Sequence, residues 1–280
     1  MSETRTGLAA VRATRYVAPL REGGSLPAVV DTEDGLYVVK FRGAGQGPKA
    51  LVAELIVGLL GLRLGLGVPQ LALVDLPPPF GRSEPDPEIQ DLLRRSHGVN
   101  VGLRYLDGAF NFDPTAAGTV ITPEFAARVV WLDALVTNPD RTHRNPNLLV
   151  WERRPWLIDH GAALYVHHHW ANVTPEKTRG PFPLVGNHVL LGWSDGIDEV
   201  DEPAAAAVGG RALEEILSAV PDELLTGPEF EQEGGPDLHR QRYHEYLTDR
   251  LGAPRAFVAA AVEARERMRR TTPQRRAARR

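Results

Sequence analysis

Residues 138–161 constrain this chain more than any other stretch. The run Asn138-Pro-Asp-Arg-Thr-His-Arg-Asn-Pro-Asn-Leu-Leu149 sets an Asp and an Asn five residues apart, Asp140 and Asn145, and leads into an apolar segment. Trp156-Leu-Ile-Asp-His-Gly161 then ends a second apolar segment on Asp159. Two strands joined by a short turn would bring the three polar groups to one end of a hairpin. Phosphoryl transfer needs such a set: one carboxylate to orient the attacking hydroxyl, and an amide oxygen with a second carboxylate to hold Mg²⁺ against nucleotide phosphates. The expected chemistry is that of a kinase.

The rest of the chain leaves room for it. At 280 residues it can build one large domain or two lobes around a substantial core. Its formal charge of −4 gives no global sign of nucleic-acid or membrane binding. The absence of cysteine removes disulfides and thiolate chemistry and fits a reducing cytoplasm. The first residues lack the apolar core of a signal peptide, and no apolar run reaches the roughly 18 residues of a membrane span. A cytoplasmic protein is expected.

Read in order, residues 16–41 suggest strands, with Gly23-Gly24-Ser25 between the first two and Asp34-Gly35 turning into Leu36-Tyr-Val-Val-Lys-Phe41. Lys49 to about Leu64 reads as a helix whose apolar face carries Leu51, Val52, Leu55, Ile56, Leu59 and Leu60. Val68–Leu76 reads as another strand. The prolines at 77–79 and the charged segment Gly81–Ser96 suggest an excursion or flexible insert. Thr122-Pro123-Glu124 is a helix start, and beyond Leu164 the pattern is mostly helical. Eight of the last sixteen residues are Arg without apolar periodicity, which reads as a disordered tail over 265–280.

The order is therefore strands, a Lys-bearing strand, a helix with Glu, a linker, a helix, a polar loop, a strand-end Asp and more helices. In this order the chain resembles the HipA-like serine/threonine kinases, distant relatives of the phosphoinositide 3/4-kinases. The resemblance rests on Tyr37-Val-Val-Lys-Phe41, Ala53-Glu-Leu55, Trp131-Leu-Asp-Ala-Leu135 running into Asn138–Asn145, and Leu157-Ile-Asp-His-Gly161. It implies an α+β, two-lobed protein-kinase-like fold: a β-rich N-terminal nucleotide-binding lobe over residues 1–97 and a mainly helical catalytic lobe over 98–264. It also implies ATP and Mg²⁺ as cofactors, a protein substrate with a Ser or Thr acceptor, and an antitoxin-like partner. No membrane contact is expected, nor direct binding of nucleic acid.

The residues take roles within that frame. Alternation puts Leu36, Val38 and Lys40 on one strand face, where a buried ammonium needs a partner. ATP phosphates and a carboxylate would supply it, with Val38 lining the adenine pocket; the bland alternative is a strand-end Lys reaching solvent. Glu54, at the edge of its helix's apolar stripe, can reach Lys40 or stay solvated. Gly23, Gly24 and Ser25 would let backbone N–H groups approach phosphates, though any hairpin turn looks alike. Asp140 would orient the acceptor hydroxyl, Asn-Pro-Asp also being a common turn. Asp159 and Asn145 would hold Mg²⁺, with Asn147, directly before Leu148-Leu149, the rival to Asn145. Arg141 would hold the loop through a carboxylate or balance phosphate charge, and Asp133 would be structural. His167-His168-His169-Trp170 suits packing or a substrate loop better than a metal centre, because consecutive imidazoles rarely converge on one ion. Two further readings remain: a small-molecule kinase of the same fold, and a non-catalytic nucleotide- or partner-binding module.

Overall fold

A computed structural model describes residues 2–3, 8–20, 26–82, 84–116, 120–227, 229–230 and 234–271. Six strands, β1 (Ser2–Glu3), β2 (Ala9–Pro19), β3 (Ala28–Thr32), β4 (Gly35–Lys40), β5 (Leu71–Leu76) and β6 (Gly98–Arg104), form one sheet in the order β1-β2-β3-β4-β6-β5. The eleven-residue β2 serves two neighbours. Its first half runs parallel to β5, from Ala9↔Ala72 to Arg12↔Asp75, and its second half pairs antiparallel with β3. The sheet thereby closes on itself. Gly35, at φ +98°, supports the expected turn into β4, and Asp34 accepts from both Tyr37 Oη and Arg104 Nη2 across it.

Alternation along β4 sorts its side chains. Tyr37 and Val39 enter a core with Val11, Val30, Val74 and the residues Ile89, Leu92 and Leu93 of α2 (Pro87–Arg95). Lys40 points to the other side, toward α1 (Gly47–Arg63). This helix is apolar nearly all round and is buried nearly all round, wedged between the sheet residues Leu71, Leu73, Val101 and Leu103 and the helical remainder of the chain.

Helical structure dominates after residue 123: α3 (Pro123–Leu135), α4 (Pro175–Thr178), α5 (Asp201–Val208), α6 (Arg211–Ser218), α7 (Pro236–Leu251) and α8 (Ala256–Thr271). A small sheet, β7 (Phe110–Asn111), β8 (Leu148–Trp151) and β9 (Arg154–Leu157), interrupts them. The β8–β9 hairpin turns through Glu152 and Arg153, both at positive φ, as a two-residue turn matching strand twist demands. Among the described residues no helix is long and apolar enough to cross a membrane.

Three expectations change. Gly81–Ser96 is not a mere excursion: Asp86 caps α2 by accepting from the Glu88 and Ile89 N–H groups, and the narrow stripe Ile89, Leu92, Leu93 buries the helix on the sheet. The sheet also runs past residue 97, because β6 pairs with both β4 and β5. Finally, 265–271 continue α8. Arg265 reaches Asp195 at 3.0 Å, while Glu263–Arg267 and Glu266–Arg270 pair one turn apart. The remaining Arg-rich residues, 272–280, lie outside the described residues.

Candidate active site

Strand β4 delivers Lys40 to a place where two carboxylates meet it. Nζ donates to Glu54 Oε2 at 2.7 Å and to Asp159 Oδ1 at 2.5 Å. Burial pushes the Lys40 pKa down, yet the two carboxylates outweigh it and hold the ammonium above its ordinary value. Glu54 is fully buried on α1, and its Oε2 also accepts from the His160 N–H at 2.7 Å. One carboxylate thus ties strand, helix and the Asp159 segment together. Asp159 keeps 41% of its side chain exposed; burial raises its pKa, but Lys40 overrides that and keeps it below the usual carboxylate range.

The loop bearing Asp140 leaves the C-terminus of α3. That helix has no basic residue in its last turn. Arg250 of α7 supplies the charge, donating to the carbonyls of Ala134 and Leu135. Within the loop, Asn138 donates to Asp133 Oδ1 at 2.9 Å and accepts from the Asp140 N–H at 3.0 Å. The half-buried Asp140 receives two amides on Oδ2: Asn145 Nδ2 at 2.8 Å and Asn147 Nδ2 at 3.1 Å.

Arg141 takes the first of its expected roles. It is 1% exposed, and its Nε donates to Asp133 Oδ2 at 2.5 Å. Its Nη1 donates to the carbonyls of Asn147 and Ile158, and its Nη2 meets His160 Nδ1 at 3.1 Å. Burial would raise the Asp133 pKa, but Arg141 and His188 drive it far below the usual range. Burial holds His160 neutral, with its pKa down to about 4.

The two rival asparagines separate. Asn145 is exposed and reaches only the Asp140 side of the site. Asn147 is buried at the start of β8, its carbonyl accepts from the Ile158 N–H at 3.1 Å, and its Nδ2 lies 3.4 Å from the Asp159 carbonyl. The pairing Leu148↔Leu157 puts Asn147 next to Asp159, which Asn145 is not. Backbone strain falls here as well: Thr137, Asn147 and Asp159 all lie at positive φ (+52°, +49° and +56°). Residues held in such conformations concentrate at functional sites.

Val38 is half-buried on the Lys40 face of β4. Gly23, Gly24 and Ser25 belong to the β2–β3 connection but lie outside the described residues. His143 is exposed. His167 is buried against Tyr243, with Nδ1 3.0 Å from the phenol oxygen, so the His run packs at least in part as expected. His188 and Arg250 went unmarked in the sequence, because their partners Asp133 and Leu135 lie 55 and 115 residues away.

A Lys–Glu pair on strand and helix, a loop Asp with amide partners, and a strand-end Asp facing the same Lys form the constellation that phosphoryl transfer calls for. The family model for HipA-like kinases matches residues 15–174, more than half of the chain, and the chain belongs to the HipA-like kinase family. It is thereby a kinase by family. Among solved structures it is similar to that of a Helicobacter pylori proinflammatory kinase, CtkA, at 16% identity, covering 87% of this chain and 95% of that one with a TM-score of 0.49. No curated protein matches it.

Proposed function

We propose that this chain is an ATP- and Mg²⁺-dependent kinase that transfers the γ-phosphoryl group to a Ser or Thr hydroxyl of a protein. The observation that carries the reading is the meeting of Lys40 with Glu54 and Asp159, beside the amide-held carboxylate of Asp140. Lys40, oriented by Glu54, would bind the α/β-phosphates, and Val38 would line the adenine site. Asp159 and the amide oxygen of Asn147 offer the hard oxygen donors that Mg²⁺ prefers. Bound there, Mg²⁺ would neutralise charge on the transferring phosphoryl group. Asn147 would take the place the sequence spacing suggested for Asn145, whose amide donates to Asp140 instead. Asp140 would hold the acceptor hydroxyl in line, and the strand-rich and helical parts would form the two lobes around the cleft.

One feature favours a second acceptor class. A cavity of about 540 Å³ opens beside both loops, lined by Gln46, Lys49, Pro139, Gly161, Tyr165 and His168 among others. Its polar lining residues, with Gln46, Lys49 and His168 beside the Asp140 loop, would suit a small polar acceptor. A metabolite acceptor is the alternative reading.

The test of the nucleotide site is the thermal midpoint with ATP, with and without Mg²⁺, for wild type and Asp159→Asn. At about 100 times its Kd a ligand adds roughly 2.7 kcal/mol. A Mg²⁺-dependent rise that Asp159→Asn loses supports the assignment. No shift at millimolar ATP overturns it and favours a partner-binding module.

A further inference from the structure

His188 lies beyond the residues that the family model matches, in the helical part of the chain, and is 4% exposed. Its ring is fixed at both nitrogens. Nδ1 accepts from the Leu190 N–H at 3.0 Å, so the ring hydrogen sits on Nε2, which donates to Asp133 Oδ2 at 2.9 Å. The backbone joins in: Val189 N–H donates to the Arg141 carbonyl at 3.0 Å, and Thr142 and His188 form a β-bridge.

Asp133 is therefore shared by three donors, two from the loop after α3 and one, His188, from the helical part beyond it. Asn138 holds Oδ1, while Arg141 and His188 both hold Oδ2. Arg141 then passes to the carbonyls of Asn147 and Ile158, on the two sides of the β8–β9 hairpin. A continuous chain of buried hydrogen bonds runs from His188 to the residues beside Asp140 and Asp159.

We propose that His188 is a positioning residue for phosphoryl transfer: acting through Asp133 and Arg141, it fixes the loop that carries Asp140 and Asn147. This rests on the kinase reading above. Removing the Nε2 donor leaves a buried carboxylate short of one partner and frees Asp133 to turn. Arg141, whose guanidinium is rigid, must follow it, and the Asn147 carbonyl with Arg141. Misplacing reacting groups by about 1 Å can cost on the order of 100-fold in rate.

The test compares His188→Gln, His188→Asn and His188→Ala in the full chain. A Gln amide can extend to the Nε2 position and donate to Asp133, whereas an Asn amide ends near the Nδ1 position. Two readouts are taken: Mg²⁺-dependent ADP release from ATP, with water as the acceptor of the γ-phosphoryl group, and hydrogen exchange across residues 138–147. His188→Gln is expected near wild type. His188→Asn and His188→Ala are expected to lose roughly 10- to 100-fold in kcat, with KM for ATP within about threefold, and to exchange faster in the loop. Equal turnover and equal loop exchange in Gln and Asn variants would overturn the proposal, even if the Ala variant did not fold. If wild type released no ADP, the kinase reading would fall, and loop exchange would still decide whether His188 holds the loop.

Discussion

Lys40→Met separates the structural from the catalytic side of the site. Glu54 is fully buried, and among the described residues its Oε2 has Lys40 Nζ and the His160 N–H as partners. Met nearly matches the length of the Lys stem but removes the ammonium, leaving a carboxylate buried without its counter-charge. Breaking a buried pair in this way costs about 3–5 kcal/mol. For a chain of this size 1 kcal/mol corresponds to roughly 2–4 °C, so the midpoint of the ligand-free protein should fall by about 6–20 °C. Asp159→Asn removes the other partner, but that carboxylate is 41% exposed, and an ion pair there is worth about 1 kcal/mol or less. The double variant Lys40→Met/Glu54→Leu should recover much of the loss, because it leaves neither charge buried. Urea unfolding of the four proteins without nucleotide reads all three effects. A Lys40→Met variant within about 0.5 kcal/mol of wild type, or a double variant no more stable than Lys40→Met, would refute the claim that this pair anchors α1 to the sheet.

Two further outcomes are expected. Asn147→Ala should abolish the Mg²⁺-dependent part of the ATP-induced thermal shift, whereas Asn145→Ala should keep it and lower turnover through Asp140; titrating both with Mg²⁺ checks this, and the opposite pattern would return the metal to Asn145. The buried His160, His167 and His188 all have folded pKa values below the ordinary histidine value, so the unfolded chain binds more protons between those values and about 6.5. Their contribution to stability is complete above about pH 6.5 and is lost as pH falls. For His160, at about 4, the loss by pH 4 is roughly 3 kcal/mol, read by urea midpoints from pH 7.5 to 4.5; a flat profile would show these rings to be solvated.

How much was legible in the sequence follows from how locally each feature is encoded. Lys40 and Glu54 could be matched because alternation in a strand and 100° steps in a helix fix which way side chains point. Asp140, Asp159 and the two candidate asparagines, Asn145 and its rival Asn147, could be gathered because a hairpin brings that region together, and the positive-φ pair Glu152–Arg153 supplies its turn. The choice between Asn145 and Asn147 was not legible: counting residues from Asp140 favours Asn145, whereas the register Leu148↔Leu157 brings Asn147 beside Asp159. Helix α2 escaped notice because its nine residues, four of them charged, show only a three-residue apolar stripe. The C-terminal Arg run hid Glu263–Arg267 and Glu266–Arg270, pairs that favour helix rather than disorder. His188 and Arg250 act across 55 and 115 residues, and only the folded chain reveals such partners.

The most direct measurement is transfer of labelled γ-phosphate from ATP in a cell lysate by wild type and by Asp140→Ala, followed by phosphoamino-acid analysis. Label on Ser or Thr of a protein, reduced by several orders of magnitude in the variant, is the expected result. Label confined to a small molecule would contradict the protein acceptor, and undiminished transfer by Asp140→Ala would contradict the site itself.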